Sequence, residues 1–109
     1  WNDPAIAVNN PGVKLPDLAI TPVYRSDGSG TTSIWTDYLA KTGSAWKDRV
    51  GVGTKVEWPV GVGAEKNDGV ADAVSRTSGA LGYVELSYAV ANGLPGGRVK
   101  NAAGMFIAP

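Results

Sequence analysis

The sequence contains neither cysteine nor histidine, and its charges balance. Without cysteine, neither a disulfide framework nor a thiolate metal site can form. Without histidine, a Ser-His-Asp catalytic triad is impossible. The ten basic and ten acidic side chains give a formal net charge of zero. The chain therefore lacks the basic character typical of proteins that bind nucleic acid or acidic membranes, and any anion it binds must be held by local donors.

The chain also lacks a long hydrophobic run. No stretch approaches the length of a membrane span, and no signal peptide opens the sequence, so we expect a chain that does not span a membrane. With 109 residues and 43% hydrophobic content, it is large enough for one modest core. We expect residues 1–109 to form a single domain or a fragment of one.

Apolar patterns with helical and strand periodicity alternate along the chain. They predict helices near residues 5–8, 31–42, 44–49, 67–77 and 85–92, and strands at 20–25, 55–58, 80–84 and within 98–108. The run at 80–84 is almost continuously apolar, which is typical of a strand covered on both faces. Strands that alternate with helices predict an α/β layered domain with at least two central strands.

The same pattern predicts which side chains are buried. On the helix over 31–42, Ile34, Trp35, Tyr38 and Leu39 share one face, which we expect to lie against the core. Trp58 follows a predicted strand, and we expect it to be a core residue as well. Trp1 and Trp46 are predicted to be half-exposed.

Helix ends are predicted from capping residues. Gly43 and Gly93 are placed to end helices. Ser44 is placed to cap the helix over 44–49, and Asn67 or Asp68 to cap the next.

Residues 25–32 carry the clearest functional signal. They read Arg-Ser-Asp-Gly-Ser-Gly-Thr-Thr and join a predicted strand to a predicted helix. The first turn of a helix has unpaired N–H groups and partial positive charge, which together favour anions. Gly28 and Gly30 allow close backbone approach and positive φ. Ser29, Thr31 and Thr32 add hydroxyl donors, and Arg25 adds a planar cation suited to phosphate or carboxylate.

A plainer interpretation stays open at this point. The segment fits an ordinary turn with a Ser or Thr cap, in which Arg25 pairs with Asp27 at the surface. It lacks the Gly-Lys-Ser/Thr ending of a Walker A loop and is not a Gly-x-Ser-x-Gly nucleophile elbow. The acidic residues are scattered singly, so neither a metal site nor a cofactor is predicted.

The segment over residues 25–32 resembles the phosphate-binding segment of the periplasmic phosphate-binding proteins of bacterial phosphate ABC transporters. Further motifs in the order and spacing of that family lie at residues 1–7, 10–16, 46–47, 56–63, 67–71, 79–85, 88–89 and 92–94. The resemblance therefore covers nearly the whole chain. It implies part of the second lobe of a two-lobed periplasmic binding protein fold.

The resemblance implies a function and a set of binding residues. Arg25 would donate to phosphate oxygens, Ser29, Gly30 and Thr31 would donate through amides and hydroxyls, and Asp27 would hold Arg25 in place. The first lobe would supply the remaining contacts, including a carboxylate that accepts a proton from phosphate and so excludes sulfate. A periplasmic location and the membrane subunits of an ABC importer as partners are implied in the same way.

Two other function classes stay open from the residues alone. An enzyme acting on phosphate esters would use the same turn as an anion cradle, although no histidine or cysteine is present as a base or nucleophile. An interaction module that kept the fold but lost the ligand is the other. We expect binding without catalysis.

Overall fold

Three short parallel strands form the centre of the molecule. The computed structural model describes all 109 residues. Its elements are α1 (Pro4–Ala7), β1 (Thr21–Arg25), α2 (Gly30–Thr42), α3 (Ser44–Arg49), β2 (Val62–Ala64), α4 (Lys66–Arg76), β3 (Ala80–Gly82), α5 (Leu86–Ala91), β4 (Val99–Lys100) and β5 (Phe106–Ile107). The predicted α/β class is confirmed.

The strand order of the sheet is β2-β1-β3, with β1 in the middle. Val23 of β1 lies opposite Val62 on one side and Gly82 on the other. Parallel neighbours need crossover connections. The helices α2 and α3 with the following loop connect β1 to β2, and α4 connects β2 to β3. As a result the carboxyl ends of all three strands lie at one edge of the sheet.

Helix α4 covers one face of this sheet. Val23, Val70 and Ala71 are the hydrophobic residues that are fully buried, with exposures of 1% or less. The helix lies so close to β3 that a Cβ atom on Gly82 would stand 2.7 Å from Val74 Cγ2 and 3.0 Å from Val70 Cγ1. Glycine at this position therefore sets the distance between helix and sheet.

An aromatic cluster covers the carboxyl end of the opposite face. Its members are Tyr24, Trp35, Tyr38, Trp46, Trp58 and Tyr83. Trp58 is central, with its ring centroid 5.5 Å from that of Tyr24, 5.6 Å from Tyr83 and 5.1 Å from Trp46. Trp58 and Trp35 thus pack as predicted, although both are half-buried rather than enclosed. Trp1 and Trp46 are half-buried as well, as predicted.

The buried face of α2 matches the prediction only in part, because Trp35, Tyr38 and Leu39 are half-buried but Ile34 is not. Ile34 is 76% exposed, whereas Thr32 and Thr36 are completely buried. The Thr36 hydroxyl donates to the carbonyl of Thr32 (2.8 Å) and accepts from the amide of Gly53 (3.2 Å). The Thr32 hydroxyl bonds the Tyr83 hydroxyl instead (2.8 Å). Because both hydroxyls have partners, threonine can be buried here, and Thr36 holds the loop after α3 against the helix.

The strand predicted at 55–58 is wrong. Those residues form a loop without a strand ladder, and β2 lies at Val62–Ala64 instead. A Cβ atom on Gly63 would stand 3.0 Å from Ser26 Cβ and 3.1 Å from Tyr24 Cε2. Close packing therefore requires a glycine in β2, and a Gly-containing triplet carries little strand signal.

Two predicted helix caps are wrong and two are confirmed. Gly43 is the C-cap residue of α2, and Gly93 follows α5 with a positive φ of 65°. Ser44 lies inside α3, which has no side-chain cap. The N-cap residue of α4 is Glu65. Asn67 lies in the first turn of α4, where its Oδ1 accepts from the amide of Glu85 (3.1 Å).

The last segment forms a separate hairpin rather than a strand of the sheet. Strands β4 and β5 pair antiparallel, with Val99 opposite Ile107. The Tyr38 hydroxyl donates to the carbonyl of Lys100 (2.9 Å), which attaches the hairpin to α2. No helix in the structure has the length and apolar character needed to cross a bilayer.

The close contact between α4 and β3 predicts that Gly82→Ala destabilises the fold. The new methyl group overlaps Val74 and Val70, and overpacking of this kind costs about 1–3 kcal/mol. Urea denaturation followed by tryptophan fluorescence measures the change in the free energy of unfolding. Gly97→Ala is the matched control, because a Cβ atom there would meet no heavy atom within 4 Å. Equal stability of the two variants would contradict this account.

Candidate functional site

The candidate site lies at the edge of the sheet where the three parallel strands end. Ligands bind at this edge in open α/β sheets, where strands give way to helices. Residues 26–29 follow β1 and lead into α2, Glu65 separates β2 from α4, and Tyr83 follows β3 directly. The turn identified from the sequence thus meets groups from two other connections.

A two-pronged ion pair anchors the site. Arg25 Nε donates to Asp27 Oδ1 and Arg25 Nη2 donates to Asp27 Oδ2, both at 2.8 Å. The side chain of Arg25 is 10% exposed and that of Asp27 is 33% exposed. The backbone amide of Lys66 also donates to Asp27 Oδ1 (3.1 Å). One carboxylate therefore connects the end of β1 to the start of α4.

These contacts fix the charge of both partners. The hydrogen bonds from Arg25 and then from the Lys66 amide hold the pKa of Asp27 well below its usual range. The hydrogen bond to Asp27 raises the pKa of Arg25 above its ordinary value. Asp27 is thus an anion and Arg25 a cation at any physiological pH.

The ion pair leaves Arg25 with donors to spare. A guanidinium carries five N–H groups, and Asp27 accepts from two of them. The other three make no hydrogen bond within the protein. Because the pair fixes the plane of the guanidinium, these remaining donors have a defined direction.

Ser29 begins α2 as an N-cap residue. Its Oγ accepts from the amide of Thr32 (3.1 Å), and its own amide donates to the carbonyl of Thr54 (2.8 Å). The expectation that the Ser29 amide points toward a ligand is therefore wrong, because that amide already holds the loop. The hydroxyl hydrogen of Ser29 remains available as a donor.

The next two amides of α2 are free. Neither Gly30 nor Thr31 donates its backbone N–H to any group of the protein, as geometry requires at a helix start. Gly28 and Gly30 do not use the positive φ that glycine allows. A Cβ atom at either position would meet nothing within 4 Å. The absence of side chains here therefore leaves open space beside the free amides.

Tyr83 and Lys66 are the parts of the site that the sequence did not identify. The Tyr83 hydroxyl accepts from the amide of Arg25 (3.0 Å) and shares a hydrogen bond with Thr32 Oγ1 (2.8 Å). Lys66 has a positive φ of 59°, the only non-glycine residue to do so. Both residues follow strands whose carboxyl ends meet that of β1, and this is the signal that could have identified them.

The structure contains both arrangements that the sequence allowed. The Ser29 cap and the Arg25–Asp27 pair are those of an ordinary turn. The same arrangement leaves several donors that make no hydrogen bond within the protein. They are three N–H groups of Arg25, the amides of Gly30 and Thr31, and the hydroxyls of Ser29 and Thr31. Such a set of donors at a helix N-terminus is suited to a small oxyanion.

Comparison with known proteins places this chain in a family. Residues 1–104 match the PBP superfamily domain. The whole chain is 52% identical to phosphate-binding protein PstS of Pasteurella multocida and covers 32% of that protein. It is 50% identical to phosphate-binding protein PstS of Xylella fastidiosa, of which it covers 30%. Over 116 aligned residues it is 40% identical to phosphate-binding protein PstS of Methanocaldococcus jannaschii, again covering 30%.

The chain thus spans about a third of the length of the curated relatives it matches. The resemblance stated from the sequence motifs is confirmed by these similarities, which extend over the full 109 residues. With a match that covers residues 1–104 and a parallel α/β sheet of the expected kind, the chain belongs to the PBP superfamily.

Proposed function

We propose that this chain provides one side of an inorganic phosphate site in the solute receptor of an ABC phosphate importer. The observation that supports this proposal is the set of hydrogen-bond donors at Arg25 and at the start of α2 that have no acceptor within the protein. Relatives at 40–52% identity that are named phosphate-binding proteins support the choice of phosphate. Because the chain covers only about a third of those proteins, the function is proposed for the receptor of which these residues form a part.

Each binding residue has a distinct role in this proposal. Arg25 donates to phosphate oxygens through N–H groups that Asp27 does not occupy. Gly30 and Thr31 donate through their free amides, where the dipole of α2 favours negative charge. Ser29 and Thr31 add hydroxyl donors. Asp27 orients Arg25 and does not contact the ligand.

The donor set has a consequence for selectivity. Apart from Asp27, which accepts from Arg25 and Lys66, the proposed binding groups are N–H and O–H groups, and each of them can donate to an oxyanion that carries no proton. An oxyanion without a proton meets no penalty there, so this side of the site does not distinguish phosphate from sulfate. The resemblance assigns that discrimination to a carboxylate of the first lobe.

We also propose that the site binds without catalysis. The Ser29 Oγ atom has the amide of Thr32 as its partner, and neither imidazole nor thiol exists in the chain to activate it. A periplasmic location, the first lobe of the receptor and the membrane subunits of the importer belong to this proposal as partners, on the strength of the family resemblance.

The isolated chain is expected to bind phosphate weakly and through Arg25. With one side of the cleft, we expect a dissociation constant in the millimolar range or weaker, about −4 kcal/mol, with little preference over sulfate. Arg25→Ala should weaken binding by roughly tenfold or more, about 1.4 kcal/mol. Titration with each anion, followed by NMR at the Gly30 and Thr31 amides, measures both quantities.

Arg98→Ala provides the control for that titration, because Arg98 is an exposed arginine outside the site with no ion pair. It should bind like the parent chain. Submicromolar affinity with strong rejection of sulfate would show that the site is complete without a partner lobe. Equal loss in both arginine variants would remove Arg25 from the site.

Gly30→Ala separates an anion site from an ordinary helix cap. A methyl group at this position meets no protein atom, so the free energy of unfolding should stay within about 1 kcal/mol of the parent value. The same methyl group occupies the open space beside the free amides, and losing one charge-assisted contact there should weaken phosphate binding about tenfold. Denaturation and the NMR titration read the two effects independently, with Gly97→Ala as control. Unchanged binding would favour the ordinary cap.

A further inference from the structure

Tyr83 joins three elements of the site through one hydroxyl group. It follows β3 directly, and its hydroxyl accepts from the backbone amide of Arg25 at the end of β1 (3.0 Å). The same hydroxyl lies 2.8 Å from Thr32 Oγ1 in the first turn of α2. The residue that carries the guanidinium and the helix turn that carries the free amides are therefore held to a common atom.

We propose that Tyr83 is a positioning residue of the anion site, which sets the location of Arg25 relative to the first turn of α2. The inference rests on the proposed function, because its consequence is measured as anion affinity. Tyr83 itself touches no ligand in this account and acts through Arg25 and Thr32.

The direct connection between these two groups is hydrogen-bonded at Ser26, Asp27 and Ser29 but is open at Gly28. Residues 26–29 join Arg25 to α2, and this turn includes exposed Ser26 and Gly28. A Cβ atom on Gly28 would meet nothing within 4 Å, so the turn does not pack tightly at that point. Preorganised donors bind more tightly because less ordering remains to be done on association. A cross-connection through Tyr83, outside the turn, adds to the order that the turn's own hydrogen bonds provide.

The tyrosine ring is itself held in place. Trp58 stacks against it with 5.6 Å between centroids and 22° between planes, and Trp35 lies 6.5 Å away at 29°. A ring packed against two indoles brings its hydroxyl to a defined point. The aromatic cluster thus serves as the rigid base of the connection.

Thr32 connects the Tyr83 hydroxyl to the first residues of α2. Thr32 is completely buried, and its amide donates to Ser29 Oγ (3.1 Å) while its Oγ1 bonds Tyr83. The residues between Ser29 and Thr32 are Gly30 and Thr31, whose amides are free. Moving Thr32 would therefore move the donors of the site.

Tyr83→Phe tests the proposal, because it removes one oxygen atom and keeps the stacked ring. We expect phosphate affinity to fall about fivefold to tenfold, as for the loss of one or two hydrogen bonds. We also expect the Gly30 and Thr31 amide signals to shift before phosphate is added. The affinity is read by NMR titration of the folded-state signals of the 109-residue chain. It is therefore independent of any loss of stability.

Tyr24→Phe is the matched control. Tyr24 stacks on Trp58 at 5.5 Å in the same cluster, and its hydroxyl makes no hydrogen bond within the protein. The chemical change is identical, so a general disturbance of the aromatic cluster would weaken binding in both variants. The proposal requires that Tyr24→Phe binds phosphate like the parent chain.

Variants at Thr32 examine the other end of the connection. Thr32→Val removes the hydroxyl at nearly constant shape and should reproduce the loss of affinity. Thr32→Ser retains the hydroxyl and should restore most of it. Combining Tyr83→Phe with Thr32→Val should weaken binding little more than Tyr83→Phe alone, because Tyr83→Phe already breaks the hydrogen bond that Thr32→Val removes.

The outcomes distinguish this inference from the function on which it rests. If the parent chain binds phosphate and Tyr83→Phe binds equally well, the positioning role is overturned and the proposed function stands. Equal weakening by Tyr83→Phe and Tyr24→Phe overturns it too. If the parent chain shows no binding at the Gly30 and Thr31 amides up to molar phosphate, the proposed function fails and this inference fails with it.

Discussion

The two-pronged contact between Arg25 and Asp27 is the interaction on which the site depends. A lone arginine at the end of a strand would sample many rotamers, whereas the carboxylate fixes its plane and leaves three N–H groups directed elsewhere. Asp27 also accepts from the Lys66 amide, so the pair ties the central strand to the helix that follows β2. One carboxylate thus keeps Arg25 charged, orients its guanidinium and connects β1 to α4.

The parallel sheet explains why these groups meet. All three strands end at one edge, and the chain must leave each of them through a turn whose backbone groups are unpaired or are paired locally. The turn after β1 supplies Arg25 and Asp27, the start of α4 supplies the Lys66 amide, and the residue after β3 supplies the Tyr83 hydroxyl. Residues distant in the sequence become neighbours through topology alone.

The sequence was sufficient for the helices, for two of the three sheet strands and for the turn between β1 and α2. It failed where packing overrode local pattern. A Cβ atom at Gly63 in β2 would stand only 3.1 Å from Tyr24 Cε2, whereas strand propensity favours residues 55–58. Ile34 has helical spacing with Tyr38 but is exposed. Thr36 is buried instead, because its hydroxyl bonds backbone groups, and hydrophobic periodicity does not indicate such bonds. Tyr83 escaped notice because its partners are 58 and 51 residues away.

The aromatic cluster gives the chain an optical property that follows from its packing alone. Trp58 has its indole N–H buried without a hydrogen-bond partner, and it stacks on the ring whose hydroxyl contacts both Arg25 and Thr32. Indole emission responds to the polarity and the charges around the ring. A displacement of Tyr83 at the edge of the sheet would therefore change the surroundings of the Trp58 indole, and the emission of the chain would report it without any added dye.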